Sequence, residues 1–272
     1  MNPIVSIIIV THNSQSVLAR CLETIDHQSV RPYQIIVVDS GSDDSSYLDE
    51  VSDRDICEVR KLSNVGFAAA NNKGLESLAP ECDYVLFINP DTFLSASVIE
   101  KSLKIMERLP RVAILTGLLE GYDLSRSCKT GKVDSSGIFR AWYGRWYDRG
   151  KGQDIGHNYL DSEHVPAVCG ALMFARTSAL RPELPELFDE SFFMYKEDIE
   201  LSVRLSEKGW KLHYSPEIKA FHCRGWNDSR RTIARKMRIM SARNEIKIYQ
   251  KHPSVYMVWA QFKYILVRIF NV

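Results

Sequence analysis

The chain has 272 residues, 45% of them apolar and 25% charged, enough for one large α/β domain or two small ones and ordinary for a globular protein. That composition excludes a disordered tail, a collagen and a disulfide-stapled miniprotein, and a formal charge of +1 gives no reason to expect a nucleic-acid partner. The charge is unevenly placed: residues 224–251 hold nine Lys or Arg against Asp228 and Glu245, Lys263 and Arg268 follow, and residues 1–223 are net acidic, a separation that points to an acidic surface such as a membrane.

Continuous runs rich in β-branched residues predict strands at Val5–Val10, Gln34–Val38, Cys57–Leu62, Tyr84–Ile88 and Val112–Thr116. Between them the pattern predicts helices over Ser14–His27, Asp44–Val51, Phe67–Leu78 and Ala96–Leu109. Such alternation means a mainly parallel sheet buried on both faces, with ligands at the carboxyl ends of its strands. The opening run Ile4–Val10 is too short to span a bilayer and lacks the flanks of a signal peptide. Residues 120–163 are rich in Gly, Asp, Arg and aromatics and predict a long loop with a short hairpin. A strand at Ala171–Ala175, a helix from Glu197 to Gly209, short strands at Lys211–Tyr214 and Ile218–His222 and two final helices complete the pattern. The six cysteines are scattered and form no Cys-x-x-Cys pair, so reduced thiols are expected.

The residues just after the strands carry the chemistry to be tested: Thr11-His12-Asn13, the run from Asp39 to Asp44, Asn64-Val65-Gly66 and Asn89-Pro90-Asp91. Asn, Asp, Ser and Gly are also ordinary turn material, but their recurrence at successive strand ends suggests a nucleotide site. Asp39 could accept hydrogen bonds from a base or ribose, or brace the turn while Asp43 or Asp44 caps the next helix. Gly66 with Ala68–Ala70 would let a ligand approach the backbone, or merely allow tight helix–sheet packing. Asp91, at the exit of a buried strand, could ligate Mg2+ or Mn2+, or cap the helix that follows. Three carboxylates between Glu197 and Glu200 suit a helix start in any protein, yet the aromatic stretch Phe192–Tyr195 before them could shield one as a general base. His222 reads either as a metal ligand or as a satisfied turn histidine.

Taken in order, Val5-Ser6-Ile7-Ile8-Ile9-Val10-Thr11-His12-Asn13, Ile36-Val37-Val38-Asp39-Ser40-Gly41-Ser42-Asp43-Asp44-Ser45, Asn64-Val65-Gly66-Phe67-Ala68, Asn89-Pro90-Asp91-Thr92, Cys169-Gly170-Ala171 and Glu197-Asp198 resemble glycosyltransferase family 2, and the Asn-Pro-Asp and Phe-Phe-Met-Tyr-x-Glu-Asp versions resemble its rhamnosyltransferase branch. The resemblance implies a GT-A fold: an α/β domain over residues 1–223, with a nucleotide-binding half (1–117) and an acceptor-side half (118–223), followed by a basic helical tail (224–272). It implies inverting transfer of a sugar, rhamnose from dTDP-rhamnose being the first expectation, to a lipid-linked saccharide in cell-surface polysaccharide or O-antigen synthesis. Carried over by position, Thr11, Asn13, Asp39, Asn64, Gly66 and Asn89 would hold the donor nucleotide. Asp91, with His222, would hold the divalent metal, Mg2+ or Mn2+; the family's first motif aspartate is Asn89 here. Asp198 would be the base and Glu197 would orient the loop or acceptor. Other readings stay open: a hexosyl or N-acetylhexosaminyl transferase, or an inactive scaffold, against which the presence of Asp91 and Asp198 argues. A dinucleotide oxidoreductase is set aside because no Gly-x-Gly-x-x-Gly follows a strand.

Two regions bear on the acceptor. In the segment 138–152, Trp142, Tyr143, Trp146 and Tyr147 offer flat faces for sugar rings, and Arg140, Arg145 and Arg149 could meet a lipid diphosphate; the alternative is an aromatic cluster that pins a loop. In the tail, Ile233, Met237, Met240 and Ile248 share one helical stripe opposite Arg231, Arg235 and Arg238, while Ser254, Gln261 and Arg268 share a stripe in a more apolar final helix. These helices would seat the chain on the inner, cytoplasmic face of the cell membrane, or pack on the catalytic body or on a second copy in a homo-oligomer.

Overall fold

The computed structural model describes residues 3–156, 158–223 and 234–270. The chain forms β1 (Val5–Thr11), α1 (Leu18–Asp26), β2 (Gln34–Ser40), α2 (Asp49–Ser52), β3 (Cys57–Leu62), α3 (Gly66–Leu75), β4 (Tyr84–Ile88), β5 (Thr92–Leu94) and α4 (Val98–Arg108). It continues through β6 (Val112–Asp123), β7 (Cys128–Ser135), β8 (Ile138–Arg140), β9 (Trp146–Asp148), β10 (Glu163–His164), β11 (Leu172–Arg176), α5 (Thr177–Leu180), α6 (Glu197–Glu207) and β12 (Lys211–His222), and ends on α7 (Arg235–Lys251) and α8 (Met257–Phe270).

Ten strands make one sheet in the order β10-β12-β6-β11-β4-β1-β2-β3, with β5 added to β12 and β7 to β6. The half formed by β4-β1-β2-β3 is parallel throughout, as is β6 with β12. The strand β11 runs antiparallel to both β4 and β6 and joins the two groups, so the α/β sheet is mixed. Alternate residues of the apolar strands enter opposite cores. Ile7, Ile9, Val37 and Leu86 pack with Leu18, Leu22 and Ile25 of α1 and Val98 and Ile99 of α4. Ile8, Val10, Ile36 and Phe87 pack with Ala68, Ala70 and Leu75 of α3 and Leu201 and Leu205 of α6. A strand buried on both faces has no polar side to show, which is why these runs are continuous in the sequence.

The differences from expectation are local. The first helix starts at Leu18 because residues 14–17 form a turn in which the Ser14 carbonyl accepts the Val17 and Leu18 amides, both at 3.0 Å. The helix expected over Asp44–Val51 is a short 3-10 turn at Ser46–Leu48 followed by α2. The two strands expected at Lys211–Tyr214 and Ile218–His222 are one strand, β12, whose register on β6 shifts between Ser215 and Lys219, around Pro216; a proline cannot donate to the ladder. Residues 120–163 hold more sheet than expected, since β6 runs across residue 117 to Asp123 and returns as β7.

The expected apolar stripe of α7 is turned into protein: Ile248 is buried with Tyr249 in the core, and Met237 and Met240 are half-buried. Arg231 and Ile233, which belong to that expectation, lie outside the described residues. Among the described residues no helix is long and apolar enough to cross a membrane.

Candidate active site

The sheet brings residues from both halves of the chain to one cavity of about 350 Å³, lined among others by Asn89, Asp91, Trp146, Asp148, Gly170, Glu197, Asp198 and His222. The strand β4 delivers Asn89 and Asp91 at its carboxyl end. The pairing of β5 with β12 sets His222 opposite Thr92, and the Cys223 amide donates to the Asp91 carbonyl at 3.0 Å. This places His222 Nε2 3.2 Å from Asp91 Oδ1 and 3.5 Å from the Asn89 amide nitrogen, while Nδ1 lies 2.8 Å from Asp134 Oδ2. Burial alone would lower the His222 pKa, but the charges and hydrogen bonds of Asp91 and Asp134 outweigh it and raise it to about 9. The capping alternative for Asp91 does not hold, since α4 begins only at Val98.

The carboxylate pair lies at the start of α6. Asp198 accepts the Gly170 amide on Oδ2 and the Ile199 amide on Oδ1, each at 2.8 Å. Burial raises its pKa, the Gly170 hydrogen bond opposes the shift, and Asp148 adds to it. Glu197 is buried, its Oε2 has no hydrogen-bond partner, and burial together with the Asp198 charge pushes it up to about 8. Burial and mutual repulsion thus make both carboxyls of the pair resist ionisation.

The loop before this pair is held in unusual backbone geometry: Phe193, Tyr195 and Lys196 have φ of 54°, 74° and 72°. Non-glycine residues persist there only when their surroundings fix them. The tail does so. The Asn244 side-chain amide donates to the carbonyls of Phe192, Met194 and Tyr195 at 2.8–2.9 Å. Lys247 donates to the Ser191 carbonyl, and Glu245 pairs with Lys196 at 3.3 Å.

The other expected donor residues form a hydrogen-bonded cluster at the ends of β1 and β2. Thr11 and Asp39 are register partners. Thr11 Oγ1 lies 3.0 Å from the Tyr47 hydroxyl, which is 3.0 Å from Ser42 Oγ. Asp39 accepts the Ser42 amide at 3.2 Å and so braces the turn. Asn13 exchanges hydrogen bonds with Asp43 at 2.8–2.9 Å. None of these lines the main cavity. Asn64 lines a second hollow with Leu62, Val65, Lys73 and Phe193, and the Gly66 amide donates to Ser40 Oγ at 3.1 Å. Of the acceptor candidates Trp146 lines the main cavity; Arg145 does not, and Trp142 sits 87% exposed at the tip of the β8–β9 hairpin.

Sequence reasoning missed Asp134, Asp148, Asn244 and Glu245. Each lies outside the strand-end runs and gains its place only by pairing across the fold. The sequence carried no signal for them: Asp134-Ser135-Ser136 reads as an ordinary polar run, and only the fold shows it fully buried on and beyond β7.

Residues 6–181 match the sequence pattern of the family described as Glycosyl transferase family 2. Over 239 residues the chain is 26% identical to N-acetylglucosaminyl-diphospho-decaprenol L-rhamnosyltransferase of Mycobacterium tuberculosis, covering 82% of this chain and 76% of that protein. Over 226 residues it is 29% identical to rhamnosyltransferase WbbL of Escherichia coli, covering 80% and 83%. Among solved structures, GalNAc-T7 with UDP, GalNAc and Mn2+ matches with a TM-score of 0.67 at 16% identity, over 91% of this chain and 48%, about half, of that one. The mannosyltransferase PcManGT of Pyrobaculum calidifontis with GDP-Man and Mn2+ matches with a TM-score of 0.63 at 15% identity, over 100% and 71%. At such identities the likeness is one of fold.

Proposed function

The chain belongs to glycosyl transferase family 2, and from that premise we propose that it is an inverting, metal-dependent transferase that moves rhamnose from dTDP-rhamnose to a lipid-linked saccharide in cell-surface polysaccharide synthesis. One observation carries this reading: Asp91 with His222, and Asp198 with Glu197, line the same cavity although they are far apart in the chain. The similarity to two rhamnosyltransferases, one of them named for a diphospho-decaprenol acceptor, supports the sugar and the lipid. A lipid-linked acceptor would bring the working chain to the inner face of the membrane.

Transfer breaks the bond between the anomeric carbon and the diphosphate oxygen while an acceptor hydroxyl attacks from the other side. In this reading Asp198 takes the hydroxyl proton. The Gly170 and Ile199 amides hold its carboxylate in one orientation, and burial raises its pKa, which strengthens it as a base. Glu197, pushed up to about 8 by burial and the Asp198 charge, would stay protonated beside it in this reading. A single displacement inverts the anomeric centre, and the nucleoside diphosphate leaves. Thr11, Asn13, Asp39, Asn64, Gly66 and Asn89 are proposed to bind the nucleotide part, and Trp146 to face the acceptor.

The residues present fit a divalent ion in part. His222 donates through Nδ1 to Asp134 and turns Nε2 to Asp91, the carboxylate-backed histidine common at metal sites, and Nε2 would give up its proton on binding an ion. Among the described residues no three His, Cys, Asp or Glu are placed to hold a metal ion by themselves, so Asp91 and His222 would hold Mg2+ or Mn2+ together with the donor. When bound, such an ion neutralises the charge developing on the diphosphate.

A donor screen tests the reading. Thermal unfolding is followed with dTDP-rhamnose, UDP-hexoses and GDP-hexoses, each with and without Mn2+ or Mg2+. Selective, metal-dependent stabilisation by dTDP-rhamnose is expected. Selective stabilisation by a UDP- or GDP-sugar would replace rhamnose with that sugar, and no stabilisation by any of them would remove the donor assignment.

A further inference from the structure

The final helix carries an apolar face that no described residue covers. Ala260 and Val267 are buried on its inner side. On that side Lys263 pairs with Glu245 of α7, and Trp259 meets Tyr143 of the β8–β9 hairpin edge-on, with ring centroids 4.6 Å apart. The opposite side shows Val258, Phe262, Ile265 and Ile269, each half or more exposed, with Val255 at 83% in the turn just before. Their spacing of three and four residues makes one stripe along the whole helix, too regular and too long for the scattered apolar residues of an ordinary surface. Beside the helix Trp142, 87% exposed at the hairpin tip, packs edge-on against the same Tyr143 at 5.4 Å.

The charges around this face have one sign. From Ala234 to Phe270 there are eight Lys or Arg and a single acid, Glu245. Glu245 is fully buried between Lys196 and Lys263, so the exposed surface of the two helices carries cations and no anion. The Arg235 side chain donates to the Arg268 carbonyl at 2.7 Å, which brings the basic start of α7 to the end of the stripe.

We propose that the outer stripe of α8, together with Trp142, is a composite docking surface that lies in the headgroup layer of an anionic bilayer. An apolar stripe on a pair of helices whose exposed charges are basic is the pattern of an interfacial helix, and each basic residue near an anionic leaflet adds attraction. A second copy joined stripe to stripe about a two-fold axis would instead oppose two basic rims. The surface includes the hairpin that contributes Trp146, Tyr147 and Asp148 to the cavity, so docking sets the cavity beside the lipid from which a lipid-linked acceptor would be drawn. In this purpose the inference rests on the proposed function; its test does not.

The test is flotation of the full chain with vesicles of phosphatidylcholine alone and of phosphatidylcholine with phosphatidylglycerol, at low and high salt. Flotation with the anionic vesicles, weakened by salt, is expected. The pairs Phe262→Ser with Ile265→Ser, and Val258→Ser with Ile269→Ser, should each cut the bound fraction roughly tenfold while leaving the unfolding temperature unchanged. Tryptophan emission should shift to the blue on adding anionic vesicles, and less in Trp142→Phe. Wild-type protein left at the bottom of the gradient, or serine variants that float like wild type, would overturn the proposal. So would a concentration-dependent dimer in lipid-free sedimentation that the serine pairs dissociate, since the face would then be a protein interface. Failed flotation with intact donor-induced stabilisation sinks the surface alone; intact flotation with no stabilisation by any donor sinks the transferase reading alone.

Discussion

Asp198 and Glu197 are neighbours in sequence with different proposed roles, and their surroundings differ. Asp198 has both oxygens held by backbone amides. Asp198→Asn keeps the shape and removes the base, so turnover should fall by ~10²-fold or more with donor affinity near wild type; near-normal turnover in a steady-state assay would reduce the carboxylate to a helix-start ornament. Asp91→Asn should abolish transfer and weaken metal-dependent nucleotide binding in calorimetric titration, and unchanged affinity would remove Asp91 from the metal site. Glu197 makes a prediction about pH. Its pKa rises from 4.5 to about 8 on folding, so it favours the fold fully below the lower value and that contribution is lost as pH climbs through the higher one. Glu197→Gln cannot ionise and should flatten this loss. Thermal unfolding at about pH 5 and about pH 9 measures it: wild type should lose more stability than the variant over that interval, and parallel curves would mean that Glu197 is already ionised in the fold.

At the scale of elements, two contacts fix the loop between α5 and α6. The first is the start of α3, where Gly66 has φ +85° and a Cβ would sit 2.5 Å from both the ring and the carbonyl of Phe193. Gly66→Ala should cost about 1–3 kcal/mol in denaturant unfolding, and a neutral result would show that the Phe193 loop yields freely. The second is the buried cluster Lys196, Glu245 and Lys263, which ties that loop to α7 and α8. Burial pushes the Lys263 pKa down to about 8, with Lys196 adding to the effect and Glu245 opposing it. Glu245→Gln strands two buried cations and should cost roughly 3 kcal/mol or more, whereas Lys263→Met leaves one balanced pair and should cost much less. Equal losses would mean that packing, and not charge balance, holds the tail to the loop.

At the scale of the whole molecule the tail is part of the core: Ile248, Tyr249 and Ala260 join the same apolar cluster as Ile7 and Leu86. Full-length protein should therefore unfold in one calorimetric transition, and a chain ending at Cys223 should melt lower and expose apolar surface; a separate tail transition would contradict this. The strand pattern was legible because strands buried on both faces write themselves as unbroken apolar runs, and β4 carries the expected bounds without change; the edge strand β3 keeps its expected bounds too, though none of its residues is buried. The residues at strand exits were legible because topology puts every such exit at one end of the sheet. Helix starts, the single strand β12 and the sheet hidden in residues 120–163 were not, since they depend on pairing and turns that leave no period of their own. By itself the sequence determined the α/β class, the family and the identity of Asp91, Asp198 and His222 as residues to watch. Only the tertiary structure decided that Asp134 backs His222, that Gly170 orients Asp198, and that α7 hides its apolar stripe while α8 shows one. The physical reason is that a helical period says which residues share a face, but which face meets protein is settled by contacts between elements far apart in the chain.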